Sequence, residues 1–340
     1  APPGTYIPGS DITIKAGRSR GQESGGMLCS LRELGLGAES AGIAELPENV
    51  VLGQSYAEFA KLDDPVIEIA ITPNRGDALG VRGIARDLAA AGIGRLKPWL
   101  VETVEGGFAS PIGWKIAYPE ACPYVVGRLV RGVKNGPSPA WLRQRLEAVG
   151  VKSISALVDV TNYLAFDLGR PLHVFDAARI SGGTLTLTRA ARETFAGLDG
   201  REYVLGTDDL VIADQAGVQS LAGIMGGEET GVSDATTDVF IESALFDAVR
   251  IALTGRRLGI HTDARQRFER GVDPALVGPG LEAATRMIVD LCGGEASDVV
   301  SGGEPPKWQR DAWLRFERIE TVGGLSVAPD DAVRTLEHLG

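Results

Sequence analysis

Between residues 183 and 242 the chain breaks into short strand-like runs, TLTLTRA, REYVL, DLVIA and DVFIES, separated by glycine-rich turns. Alternating runs of this length, punctuated by glycine, are the pattern of paired strands. Helical spacing resumes over residues 246–292. Together these stretches predict a mixed α+β domain of about 200 residues. Upstream, YVVGRLVRGV reads as a strand. SPAWLRQRLEAVG then reads as a helix, with Ser138 able to cap, Pro139 at the first position, Leu142, Leu146 and Val149 on one face and Gly150 as its stop. ISALVDVTNYLAFDLG predicts another helix, because Ile154, Val158, Thr161 and Ala165 recur at helical spacing.

The break at Gly106 and Gly107 marks a boundary. Before it, residues 66–71 predict a strand, followed by a Pro-Asn turn, an N-cap at Asp77 and a helix whose stripe is Val81, Ile84, Ala85 and Leu88, with Gly92 as its stop. The opening segment is glycine-rich, with short alternating runs such as DITIK and a brief helical pattern around SLRELGLG, and reads as part of a small β domain. The predicted fold class is α+β and multidomain, divided at 1–62, 63–106, 107–311 and 312–340. Because the last segment ends on a helix at the final residue, truncation is expected there.

Composition narrows the function. A net charge of -11 excludes a protein that grips nucleic acid with its whole surface. Two local windows run the other way: residues 128–152 hold six basic residues against Glu147, and residues 250–270 hold six arginines against Asp263 and Glu269. Each is either a solvated face or a docking place for a polyanion. Cys29, Cys122 and Cys292 are far apart and never form a CxxC pair, which points to buried thiols and to no metal site. There is no basic start followed by an apolar run, and no apolar stretch approaches the roughly 20 residues of a membrane span, so a cytoplasmic, non-membrane protein is expected.

Three places could carry chemistry. LAGIMGGEETG has glycines at 223, 226, 227 and 231 but neither the Rossmann nor the Walker spacing. It is either a turn between strands or a place where main-chain N–H groups approach an ester oxygen. In FIESALF, strand alternation puts Phe240, Glu242 and Ala244 on one side. An acid so flanked is either salt-bridged to an arginine or reserved for a ligand's donor. His173, between Leu172 and Val174, is a core residue, a ligand or a base; with GxSxG absent, a nucleophilic triad is disfavoured.

Those motifs carry a resemblance. VDVTNYLAFDLGRPLHVFD, LAGIMGG, FIESALF and RFERGVDP, with TPNRGDALGVRGIARDLAA and GGMLCSLRELGLG upstream, resemble the β subunit of bacterial phenylalanyl-tRNA synthetase, in order from about residue 17 onward. The resemblance implies the tail of an oligonucleotide-binding-like domain in residues 1–62, a small α/β piece, an editing domain in 107–311 and the start of a further domain. It implies hydrolysis of tyrosine mistakenly esterified to tRNA(Phe). The α subunit makes the adenylate with ATP and magnesium in an (αβ)2 assembly, and no cofactor is implied for this piece.

Carried over residue by residue, the acid that reads the tyrosine hydroxyl falls on Glu242. The pocket backbone falls on Ala222, Gly223 and Gly226, and Thr161, Asn162, Pro171 and His173 fall on the remaining editing-site positions. Arg143 and Arg145, in the first basic window, are candidates for tRNA backbone contacts. The chain departs from the family pattern at Lys152, Ser153 and Ser155, and at Arg265 where a serine is usual. Competing readings are an RNA-binding or structural piece that hydrolyses nothing, a free-standing editing hydrolase, and, weakest given the acidic balance, a general nucleic-acid-binding module.

Overall fold

The computed structural model describes residues 1–37, 40–48, 50–60, 62 and 64–339. The chain divides into two compact units, Ala1–Ile67 and Glu68–Gly340. In the first, β1 (Tyr6–Ile7) pairs with β2 (Ile12–Thr13) and β3 (Gly17–Ser19) with β4 (Gln22–Ser24), both antiparallel. Ile7, Ile14 and Cys29 form its core, with Met27 and Leu34 against them. The segment SLRELGLG is a run of turns rather than the helix its spacing predicts. Ser30 and Glu33 form a reciprocal capping box, the Ser30 amide donating to the Glu33 carboxylate at 2.8 Å and the Glu33 amide to the Ser30 hydroxyl at 3.3 Å, but Gly35 at φ +72° turns the chain away before a helix can propagate. α1 (Tyr56–Phe59) is a single turn.

The second unit runs, in chain order, α2 (Val81–Ala90), β5 (Gly113–Ile116), β6 (Tyr124–Arg131), α3 (Ala140–Ala148), α4 (Ala156–Leu168), β7 (His173–Asp176), β8 (Thr184–Arg189), β9 (Thr194–Ala196), β10 (Glu202–Val204), β11 (Leu210–Ala213), β12 (Val218–Leu221), β13 (Met225–Gly226) and β14 (Asp238–Leu245). It continues through α5 (Ala248–Leu258), α6 (Asp263–Phe268), α7 (Val277–Cys292), β15 (Glu295–Ala296), β16 (Val300–Gly303), α8 (Glu317–Gly323) and α9 (Pro329–Leu339). One sheet has the order β13-β12-β11-β8-β5, antiparallel except for β5 beside β8. The other has the order β15-β6-β14-β7, with β16 also on β6, and is antiparallel throughout. β9 and β10 form a separate hairpin.

Strand alternation divides β14 between two cores. Phe240 and Ala244 join Val125, Leu129, Phe175, Leu187, Val211 and Phe268 in the first core, which lies between the sheets. Val239 and Ile241 join Val126, Val130 and Val174 in the second, beneath Leu142, Leu157, Val160, Leu164, Leu281 and Ile288 of α3, α4 and α7. Both faces of the strand are therefore dry, and any polar side chain on it needs a partner or a purpose. No helix among the described residues is long and apolar enough to cross a membrane.

Local signals misdirect the sequence reading in three places. Residues 66–71 pair with no strand among the described residues; Val66, Ile67 and Ile69 stay exposed, so alternation without a ladder partner makes no strand. The N-cap of α2 is Gly80, not Asp77, whose carboxylate is held by Arg75 at 2.9 Å and by Arg86. Ser138 does not cap α3. Pro139 takes that place, while the Ser138 hydroxyl donates to the fully buried Asp159 at 2.6 Å. Asp159 also accepts from the Ser153 hydroxyl at 2.5 Å and the Ile154 amide at 3.0 Å, so the unusual Ser153 has a defined task in holding the entry to α4. At Asp77 and Ser138 another side chain takes the group that would have capped the helix.

Candidate functional site

β14 carries Glu242 into the space between the sheets, flanked on its own face by Phe240 and Ala244. Its cross-strand partner on the edge strand β7 is His173, so both side chains project from the same face. The imidazole meets Phe175 edge-on with ring centroids 4.4 Å apart. From the opposite sheet, Gly226 closes directly on the ring: a Cβ at that position would lie 2.4 Å from His173 Cε1 and 2.9 Å from Nε2. A side chain at this position would have to push the His173 ring aside.

The turn before β13 enters the first core from the same sheet as Gly226. Ala222 is buried and its N–H donates to Leu210 O at 3.1 Å, and the Ile224 N–H donates to Leu221 O at 3.0 Å. The N–H of Gly223, between them, has no main-chain partner among the described residues. Gly223 adopts φ +70°, and a Cβ there would stand 2.7 Å from Phe246 Cδ2 and 3.0 Å from Ile251 Cδ1. Both backbone conformation and packing select glycine at this turn.

Burial sets the electrostatics. Glu242 is 5% exposed and accepts no hydrogen bond among the described residues; burial pushes its carboxyl up to about 7, against the pull of Arg170. Burial also lowers His173 to about 4, so at neutral pH it is an uncharged imidazole that hydrogen-bonds but takes up protons weakly. Cys122, buried below the same core, has its thiol raised by burial and then by Glu242, which disqualifies it as a nucleophile. Among the described residues no cluster of three His, Cys, Asp or Glu side chains could hold a metal ion.

The structure thus brings together Glu242, His173 and Gly226, with Pro171 buried in the segment leading into β7, whereas Ala222 and Gly223 sit in the same first core against Phe246, Ile251 and Phe268. Thr161 and Asn162 lie on α4, which packs its apolar face on the other side of the sheet. The Thr161 hydroxyl donates to Val158 O at 2.7 Å, and no hydrogen bond joins either residue to Glu242 or His173 among the described residues. Arg143 and Arg145 are exposed on α3, where Arg145 donates to the Tyr163 hydroxyl at 3.0 Å and lies 5.6 Å from the Trp141 ring centroid. A separate cleft of about 600 Å³, lined by Asp209, Arg192, Arg250 and Arg257, contains none of the site residues.

Sequence reasoning passed over Arg170, which is fully buried beside this group. The signal available for it was the Gly-Arg-Pro corner itself, an arginine between two turn formers and ahead of an apolar run.

A family model described as "B3/4 domain" matches residues 121–293, the stretch that holds most of both sheets. The phenylalanine-tRNA ligase beta subunit of Gluconobacter oxydans (strain 621H) is 72% identical over 340 residues, covering 100% of this chain and 41% of that protein. That of Paramagnetospirillum magneticum is 54% identical over 344 residues, covering 100% and 43%. A solved N-terminal fragment of the phenylalanyl-tRNA synthetase beta subunit from Pyrococcus horikoshii shares 17% identity over 79% of this chain and 75% of that one, with a TM-score of 0.36, too loose an agreement to bear on the fold. The chain spans about two fifths of the length of the curated relatives it matches. It belongs to the B3/4 domain family, and along its whole length it is similar to one continuous part of phenylalanine-tRNA ligase beta subunits.

Proposed function

We propose that this chain carries a post-transfer editing site that hydrolyses the ester of tyrosine mischarged onto tRNA(Phe), in support of phenylalanine ligation by an α subunit. The observation that carries the reading is Glu242, a buried carboxylate without a hydrogen-bond donor among the described residues, paired across the strands with His173, against whose ring Gly226 packs. A tyrosine hydroxyl donates to it; phenylalanine leaves it unpaired, and a site built to bind a hydroxyl rejects the analogue without one strongly. A hydrophobic synthetic pocket has the opposite weakness toward an added hydroxyl, which is why a second sieve is needed.

In the reaction, a water held by His173 and by the free ribose hydroxyl of the terminal adenosine attacks the ester carbonyl carbon. The carbonyl oxygen, negative in the tetrahedral intermediate, takes the Gly223 N–H. The bond from carbonyl carbon to ribose oxygen breaks, that oxygen receives the proton, and free tyrosine leaves. With an imidazole titrating near 4, His173 orients water rather than storing its proton. ATP and magnesium belong to the adenylate chemistry of the α partner in an (αβ)2 enzyme. The test is deacylation of Tyr-tRNA(Phe) beside Phe-tRNA(Phe) by this chain: faster loss of tyrosine is expected, and equal or absent loss from both contradicts the reading.

One feature favours RNA binding as a role in its own right. Trp141, Tyr163 and Arg145 form an aromatic and cationic platform on the outer side of α3 and α4, with the two rings edge-on at 5.7 Å. Replacing Arg143 and Arg145 with Ala is expected to lower the log-log salt slope of tRNA binding by about 0.7 to 0.9 for each phosphate no longer neutralised. An unchanged slope removes these arginines from the RNA path.

A further inference from the structure

Arg170 occupies the corner ahead of β7 with its side chain fully out of solvent. Its Nη2 donates to the carbonyl of Ala244 on β14, whereas Nε and Nη1 have no partner among the described residues. The stem packs on α7, where a Cβ on Gly280 would lie 3.0 Å from Arg170 Cγ. The guanidinium carbon stands 5.8 Å from the centroid of the Phe268 ring, on the side of the core that Glu242 faces. A buried guanidinium with two unpartnered nitrogens, carrying three N–H donors between them, is costly, and a packed apolar side chain would serve the fold better.

Glu242 offers the complementary group: a carboxylate, 5% exposed, that accepts no hydrogen bond among the described residues, although its oxygens are not wholly cut off from solvent as Arg170 Nε and Nη1 are. The two side chains form no direct ion pair, yet each perturbs the other, Arg170 drawing the Glu242 carboxyl down and Glu242 drawing the guanidinium up against a burial effect that lowers it to about 10. The other titratable groups bearing on the pair are His173 from β7, Cys122 ahead of β6 and Asp273 ahead of α7.

We propose that Arg170 and Glu242 are two halves of one hydroxyl-binding site, Glu242 accepting the proton of a neutral hydroxyl and Arg170 donating to the same oxygen. A hydroxyl has one donor and two acceptor positions, so it answers both deficits at once. An ammonium group would satisfy the carboxylate and be repelled by the guanidinium, and a carboxylate or phosphate the reverse. The ligand class is therefore a neutral hydroxyl carried on an apolar body, because Glu242 lies on the face of β14 whose core holds Phe240, Phe246 and Phe268, and an uncharged phenol meets both requirements. The inference rests on the editing reading and extends it, because it makes the hydroxyl a two-point contact.

The test measures binding alone, by NMR titration of this chain with L-tyrosinamide and L-phenylalaninamide. The expected wild-type preference for tyrosinamide is about tenfold or more, and Arg170→Gln is expected to remove most of it. Arg170→Lys, which keeps the charge but not the fork of donors, is expected to lose about threefold and carries the test by itself should the glutamine variant fail to fold. The preferences are compared well above the Glu242 midpoint, because removing even a merely structural cation near Glu242 would move that midpoint. Here the preference falls as pH drops through about 7 in the wild type, and that midpoint moves upward in Arg170→Gln because the cation opposing protonation is gone. A folded Arg170 variant that keeps the wild-type preference above the midpoint, whether or not the midpoint moves, beside a Glu242→Ala variant that has lost the preference, overturns this inference and leaves the editing reading intact. A wild-type chain with no preference overturns both.

Discussion

Replacing Glu242 with Ala is expected to lower the Tyr-over-Phe ratio in deacylation by about 10- to 100-fold, with most of the change on the tyrosyl ester. The magnitude follows from the roughly 1.5 to 3 kcal/mol of a hydrogen bond to a charged group, at about 1.4 kcal/mol per factor of ten. Glu242 touches neither the ester nor its water in this account, so the phenylalanyl ester should be hydrolysed at close to its wild-type rate. A variant that loses both esters equally would move Glu242 from specificity into the fold or the chemistry.

The same residue gives a pH signature with a defined sign. Its folded pKa, about 7, lies above the ordinary 4.5, so the folded protein holds this proton more readily than the unfolded chain. Stability therefore falls as pH rises from about 4.5 to 7, and the wild type should lose stability over that interval relative to Glu242→Gln, which does not titrate. Tyrosine preference runs the other way, present above about 7 and fading below it as the acceptor is protonated. Opposite trends in one residue identify an acid kept for binding at the expense of the fold.

The second large effect separates two glycines of one motif. In Gly226→Ala the new methyl group meets the tip of the His173 ring and, at 2.8 Å, Leu198 Cδ1. Both are ends of side chains, so the ring can turn away. Deacylation should fall by an order of magnitude or more for a stability loss of about 1 kcal/mol. In Gly223→Ala the methyl group sits at φ +70° against Phe246, Ile251 and, at 3.2 Å, Phe268, all in the first core. There about 2 to 4 kcal/mol of stability should be lost, from backbone strain and overpacking together. Thermal unfolding and deacylation measured on both variants check the contrast. Equal stability losses would mean that the His173 ring is wedged rather than free to turn.

How much of this was legible in the sequence depended on whether the deciding interaction was local. The side of β14 that Glu242 occupies follows from period-two alternation alone, and the structure places Phe240 and Ala244 on that side as the pattern predicts. The strands around Leu187, Val211 and Ile241 and the helices α4 and α7 were readable for the same reason. β7 was not. HVFD is four residues behind a proline, and it is a strand because β14 pairs with it from far along the sequence. Asp77 and Ser138 look like caps, but distant partners take them, and neither Arg86 nor Asp159 could be matched to them by spacing. Arg170 was invisible for a related reason: an arginine is ordinarily read as surface, and only the packing of α7, Phe268 and β14 around it shows otherwise.

The central claim is that Glu242 takes a tyrosine hydroxyl in the space between the two sheets. A crystal structure of this chain with 3′-(L-tyrosylamino)-3′-deoxyadenosine, whose amide resists hydrolysis, tests it most directly. The account predicts the phenolic oxygen within hydrogen-bond distance of the Glu242 carboxylate, the amide carbonyl at the Gly223 N–H and the ribose beside His173. A tyrosyl ring bound elsewhere, or seated with its hydroxyl away from Glu242, would contradict it.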